Sequence, residues 1–275
     1  VTRSLIVTGR EVSRISRGKP QQVAFVFFAA IALGAFVLAG SGGHAGTGAI
    51  AAAGPGRLAA SISNLLLVAS SLAGILVAAL SFSLDETGGM AALVRSCGLG
   101  RREYILGKFA GLAIAPAVLI GAATIVVLAI AERGGGFAFL VPLLALVLAT
   151  AAVYAAWGSY FGTFSRSTLA AAGVSLAFWF ATLFLYEALG WAIFPVLPYR
   201  AAKPALALFL AANPAEALRL GAIFLGDRGA TLGPEFYYWQ IFFRSPMGVA
   251  VGLAILAAHI VVPLSLTAAA SRRRA

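Results

Sequence analysis

The chain has 275 residues, of which 61% are hydrophobic and only 11% charged, and its mean hydropathy is +0.97. That composition excludes an ordinary soluble globular protein. The formal net charge of +11 would suggest nucleic acid in a soluble chain. Here the basic residues stand at the ends of apolar runs, where anionic headgroups and the positive-inside bias account for them, and no nucleic-acid partner is expected.

Residues 1–22 carry Leu5, Ile6, Val12 and Ile15 at helical spacing, with Arg3, Arg10, Arg14 and Arg17 largely on the other side. The pattern predicts a basic amphipathic helix lying in the interface plane, ended by Gly18 and Pro20; a frayed basic tail is the plainer alternative. Apolar runs at 23–39, 62–84, 107–131, 137–161, 168–189 and 247–268 predict six transmembrane helices. Small residues in the second (Ser63, Ser70, Ser71, Gly74, Ala78) allow close helix approach. Trp157 and Tyr160 suit an aromatic belt at the end of the fourth. Glu187, near the end of the fifth, is expected at the interface rather than in a buried relay.

Between the fifth and last spans, residues 190–246 are broken by Pro195, Pro198, Pro204 and Pro214. They read as short re-entrant or interfacial helices hinged at Asn213–Pro214, with Asn213 capping the second. With both termini inside, most of the lysines and arginines fall on the inner side. The chain is therefore expected in a cytoplasmic membrane with N- and C-termini cytoplasmic.

The stretch from Leu84 to Lys108 sits between two long spans and carries Asp85, Glu86, Arg95, Arg101, Arg102 and Glu103. Residues 85–106 are read as a cytoplasmic loop in which Met90, Leu93 and Val94 form the apolar edge of a short helix within a basic rim. Such an edge is what a docking element needs.

Catalytic chemistry is not written in the chain. There is no GxxxxGK[ST], and GLGRRE lacks its lysine and hydroxyl residue; neither HExxH nor GxSxG occurs. Spans one to four, so bounded, hold no internal carboxylate, which argues against an ion-coupled carrier. The single Cys97 and the isolated His44 and His259 are given no metal or redox role, and His259 is expected to hydrogen-bond across to another helix. No catalytic residue, cofactor or metal is assigned. A membrane protein with a charged inner loop and no engine suggests a permease driven by a cytoplasmic partner.

The run Asp85-Glu86-Thr87-Gly88-Gly89, followed by Gly98-Leu99-Gly100-Arg101-Arg102-Glu103-Tyr104-Ile105-Leu106-Gly107-Lys108-Phe109, resembles the loop between the second and third spans of ABC-2 type permeases. Gly89-Met90 stands where Gly-Thr is usual, and Gly98-Leu99-Gly100-Arg101 replaces a Pro-x-x-Arg step. The resemblance implies an all-α integral membrane protein of six spans, with the ABC-2 (type V exporter-like) architecture over nearly the whole chain. It also implies a permease homodimer and two copies of a separate cytoplasmic ABC ATPase, which would bind the ATP and Mg. Glu86, Gly89 and the helix from Met90 to Ser96 would be the coupling helix, with Asp85, Leu93, Val94, Arg95, Arg101 and Arg102 around it.

Asn213-Pro214-Ala215-Glu216-Ala217-Leu218-Arg219-Leu220, with Gly226-Asp227, is similar to the stretch before the last span of NosY-like permeases. Those act in copper-site maturation of nitrous-oxide reductase, beside a periplasmic β-helical partner. The likeness implies that Asn213, Pro214, Glu216, Arg219 and Asp227 meet that partner or form a gate, and that the cargo is a small, sulfur-related species. Three other readings remain open: a mechanical transmitter that moves no solute, a lipid or polysaccharide exporter of the same fold, and an ion-coupled carrier.

Overall fold

A computed structural model describes residues 2–16, 54–96, 98–131, 137–225 and 237–273. The predicted first span, His44, Cys97 and Asp227 lie outside the described residues. Among those described, the chain is helical, in the order α1 (Thr2–Ser16), α2 (Gly54–Thr87), α3 (Met90–Ser96), α4 (Arg101–Ala131), α5 (Phe137–Phe164) and α6 (Thr168–Phe180). Helix α6 continues through a π-helical turn (Ala181–Leu185) into α7 (Tyr186–Ile193). Then come α8 (Tyr199–Ala212), α9 (Pro214–Leu225), α10 (Tyr237–Arg244) and α11 (Pro246–Arg273).

Five helical stretches among the described residues are long and apolar enough to cross a membrane: Ser63–Thr87, Arg101–Ala122, Val141–Phe164, Thr168–Gly190 and Pro246–Arg272. The protein is a helical multi-pass membrane protein. Without a hydrophobic force between helices in lipid, small residues that let backbones approach decide the packing. The most extensive contact is that of α2 with α5, and it is made this way. A Cβ added at Gly158 or Gly162 would run into the carbonyl oxygens of Ile75 and Ala79, and one at Gly74 would lie 2.7 Å from the Ala151 oxygen. The paired positions advance together along both helices, so α2 and α5 run in the same direction, as two spans separated by one other must. Helices α4, α6, α9 and α11 then pack around this pair.

Helix α1 forms over Thr2–Ser16 and docks on α4. Its Ser4–Thr8–Glu11–Ile15 face packs along the first half of α4: the Thr8 hydroxyl donates to the Gly107 carbonyl at 2.9 Å, and Ile15 joins the core with Leu112. Leu5 and Ile6, expected on the same apolar face as Ile15, are instead 63% and 68% exposed. The physical reason is that α4 offers Gly107 and Gly111, against which the small and polar side of α1 fits closely. Trp157 packs within the bundle, 4.8 Å from Phe178 and 5.9 Å from Phe161 between ring centroids, and Tyr160 lies against Phe161 and Phe164.

The α2–α5 approach predicts a steep size dependence. Gly158→Leu should cost about 1–3 kcal/mol or more through overpacking and lower the melting temperature in detergent. Gly173→Ala on α6, where nothing lies within 4 Å of the added Cβ, should leave it unchanged.

Candidate functional site

The loop between α2 and α4 is shorter than its sequence suggests. Asp85 and Glu86 belong to the last turn of α2, and Arg101 and Arg102 to the first turn of α4, so only residues 88–100 lie between the two long helices. Gly89 and Gly98, both at φ 74°, take the left-handed conformation that other residues adopt at a cost, and they bracket α3 on either side. The Gly100 amide donates to the Glu103 carboxylate at 3.2 Å, half of a capping box that starts α4.

Beneath this loop lies a buried ion pair. Lys108, with a side chain 0% exposed, contacts the Asp85 carboxylate directly. Its ammonium also donates to the Ser81 carbonyl at 2.9 Å and stands 4.7 Å from the centre of the Phe82 ring. The Tyr104 hydroxyl donates to the same Asp85 oxygen. Glu11 of α1 is buried beside the cluster, its carboxylate 3.6 Å from Arg14. A lysine in a dry interior needs this complement of acceptors, since the desolvation cost of a lone ammonium is several kcal/mol.

Asp85 was expected among the ATPase-coupling residues of the loop. It is part-buried, 13% exposed, and its ion pair with Lys108 ties α2 to α4. With α2 running to Thr87, Asp85 also falls inside a spanning helix, which corrects the expectation that these spans hold no carboxylate. Glu86 is half-buried and lines a water-sized cavity with Ala91, Arg101, Tyr104, Thr163 and Ser271. Of the apolar edge, Leu93 is 58% exposed, Met90 and Val94 are half-buried, and Ala91 turns inward. Gly89 and Arg102 are exposed, Arg101 is half-buried, and the backbone of Arg95 lies in α3. Among the described residues, sequence reasoning missed Lys108, Tyr104, Glu11, Thr163 and Ser271. One signal was available: a lysine inside an apolar run demands a carboxylate, and Asp85 closes the preceding run.

A second polar cluster holds the α8–α9 hairpin. Asn213 caps α9 as expected, accepting from the Ala215 amide at 3.0 Å, and its side-chain amide donates to the Thr182 carbonyl at 2.7 Å. Thr182 stands in the π-helical turn, where its hydroxyl lies 2.9 Å from that of Tyr154. A π-turn leaves carbonyls without their α-helical partners, and such turns are frequent at functional sites. Arg219 bonds Glu216 at 2.6 Å and reaches Glu187 at 3.5 Å, so α9 is tied to α7. Glu187 is half-exposed, and Pro214 is buried. His259 bonds across to the Ala211 carbonyl at 3.0 Å. Burial pushes the Glu216 carboxyl above its ordinary 4.5, outweighing the opposite pull of the Arg219 guanidinium.

Among the described residues no three histidine, cysteine or acidic side chains converge to hold a metal. The geometry defines two polar anchors in an apolar helical membrane protein: one beneath the loop helix α3, one beneath a proline-broken hairpin. No protein-family model matches the chain, and no curated protein matches it either.

Breaking the buried pair should be costly and asymmetric. Asp85→Asn alone leaves the lysine unpaired and should destabilise by about 3–5 kcal/mol, whereas Asp85→Leu with Lys108→Met should recover most of that loss. Thermal unfolding in detergent reads both. For Glu216 the sign runs the other way from an ordinary ion pair. Its raised folded value means the folded state holds the proton more tightly, so stability falls as pH rises from 4.5 through that value. Glu216→Gln should remove this component, and the difference between the two proteins' melting profiles measures it.

Proposed function

We propose that the chain is the membrane subunit of an ATP-driven transporter of the ABC-2 class, with six spans including residues 23–39, acting as a homodimer with two cytoplasmic ATPase subunits. On this reading the ATP and Mg are held by the ATPase, both termini are cytoplasmic and the membrane is the bacterial inner membrane. The hairpin of α8 and α9 faces outward, toward a periplasmic β-helical accessory protein of the NosY-like systems, and the cargo is a small, sulfur-related species.

The observation that supports this best is the seating of α3. It is a two-turn helix bracketed by left-handed glycines, with Ala91 turned inward and Leu93 outward. A push on Leu93 is delivered to helix ends that the Lys108–Asp85–Tyr104 cluster joins rigidly, and α2 passes it on to α5, its most extensive partner. A loop helix so mounted suits force transfer better than catalysis.

The test is co-purification from native membranes followed by an ATPase assay. Leu93→Asp puts a charge on the exposed edge without touching the buried pair, and Glu86→Ala removes the half-buried carboxylate beside it. An ATPase that co-purifies with the wild type and is lost or uncoupled in Leu93→Asp supports the reading. If no ATPase co-purifies, or Leu93→Asp behaves as wild type, the reading fails.

One observation favours a second reading. A lysine–carboxylate pair inside the spans is the material from which an ion-coupled carrier is built. That carrier would transport in vesicles without any ATPase, and Lys108→Met would abolish transport while leaving the folded protein.

A further inference from the structure

The ends of five helices converge on a cavity of about 10 Å³. It is lined by Glu86 from the last turn of α2, Ala91 of α3, Arg101 at the start of α4, and Thr163 and Ser271 from the last turns of α5 and α11. That volume is about one water-sized sphere, the least that holds a water molecule. Thr163 is 1% exposed, and among the described residues its hydroxyl has no hydrogen-bond partner. The usual remedy for a hydroxyl in an apolar helix is to bond the carbonyl one turn back. Ser159 of the same helix does so, to Ala155 at 2.7 Å, and Thr267 of α11 does so, to Pro263 at 2.8 Å. Thr163 forgoes that bond, at a depth where an unpaired hydroxyl is costly.

The groups around the cavity decide what suits it. A carboxylate at Glu86 disfavours an anion, and the guanidinium at Arg101 disfavours a cation. Arg101 only donates hydrogen bonds, an ionised Glu86 only accepts them, and the hydroxyls of Thr163 and Ser271 do either. A neutral molecule of water's size that both donates and accepts meets every one of these demands. Buried waters typically take about two to four polar partners, and the lining offers that number.

We propose that this cavity binds one ordered water molecule, which hydrogen-bonds the Thr163 hydroxyl and links it to Glu86, Arg101 and Ser271. The proposal stands apart from the transporter reading and needs no ATPase. Ala91, 5% exposed, is the residue of α3 at the cavity, so the loop helix covers the water. The bonds join the ends of α5 and α11 to those of α2 and α4, the two helices that the Lys108–Asp85 pair already ties. A displacement of α3 therefore uncovers a polar joint between four long helices.

The experiment is X-ray radiolytic labelling of the full chain in lipid nanodiscs, read by peptide mass spectrometry. Hydroxyl radicals formed from a bound water add to the side chains beside it, however deeply those are buried. Phe82, 2% exposed, lines the cavity, whereas Tyr154, 0% exposed, packs in a core cluster with Leu67 and Leu183. Phe82 should be labelled several-fold faster than Tyr154, although tyrosine is the more reactive ring. After rapid mixing into heavy-oxygen water, the label at Phe82 should acquire the heavy isotope later than the label at Phe164, which is 61% exposed. Ala91→Leu fills the cavity and should abolish labelling of Phe82 while leaving that of Phe164 unchanged. Thr163→Val should lower the melting temperature in detergent, because the water loses a partner; with a dry hydroxyl, the same change would raise it. Labelling of Phe82 no faster than Tyr154, isotope uptake at Phe82 as fast as at Phe164, Phe82 labelling that survives Ala91→Leu, or a melting temperature unchanged or raised by Thr163→Val would overturn the proposal. The wild-type rates decide even if Ala91→Leu does not fold.

Discussion

A lysine ammonium with no exposed surface is the constraint on which the α3 end of this protein depends. Lys108 cannot stay charged in a dry interior without acceptors, and the bundle supplies them from two helices: the Asp85 carboxylate and the Ser81 carbonyl of α2, with Tyr104 of α4 holding the same carboxylate. Satisfying it requires the end of α2 and the start of α4 to lie side by side. The turn between them is thereby limited to residues 88–100, and α3 has few places to go. Helix α1 closes the remaining side with Glu11 and Ile15.

The α8–α9 hairpin is held by a different device. The carbonyl of Thr182 in the π-turn of the fourth described span meets the side chain of Asn213, which also starts α9. One asparagine thus sets both the position of the hairpin and the direction of its second helix. Arg219 adds a charged tie from α9 to Glu187 of α7. Between the two polar anchors the contacts are almost wholly apolar, and small residues on α2 and α5 let the backbones meet. Such a body transmits displacement well: stiff contacts along its axis, and polar joints where force would enter and leave. The transporter reading rests on that mechanical arrangement.

Much of the helical layout was legible because apolar runs of spanning length admit few alternatives in a bilayer. The Asn213 cap and the cross-helix bond of His259 were legible for a similar reason: each residue has a narrow set of satisfactory partners. The α1 packing was not, because periodicity reports which face is apolar and not which face has small neighbours; Gly107 and Gly111 decided against Leu5 and Ile6. The role of Asp85 was hidden by treating charges near a span end as loop charges. Lys108, a cation embedded in the following apolar run, was the residue that should have claimed it. The π-turn at Ala181–Leu185 left no signal in sequence, since its stability comes from Asn213 and Tyr154, 28 or more positions away.

The central claim is that the buried Lys108 cluster fixes the α2–α4 loop to the bundle. Hydrogen exchange of the full chain in lipid nanodiscs tests it directly, comparing the wild type with Lys108→Met at matched occupancy of the folded state. The account predicts that amides of Ser83–Thr87 and Glu103–Gly107 are strongly protected in the wild type and lose protection in the variant, with α3 following, while the α2–α5 contact around Gly158 stays protected. Unchanged protection around α3 in the variant would contradict it, and the loop would then owe its position to something other than the ion pair.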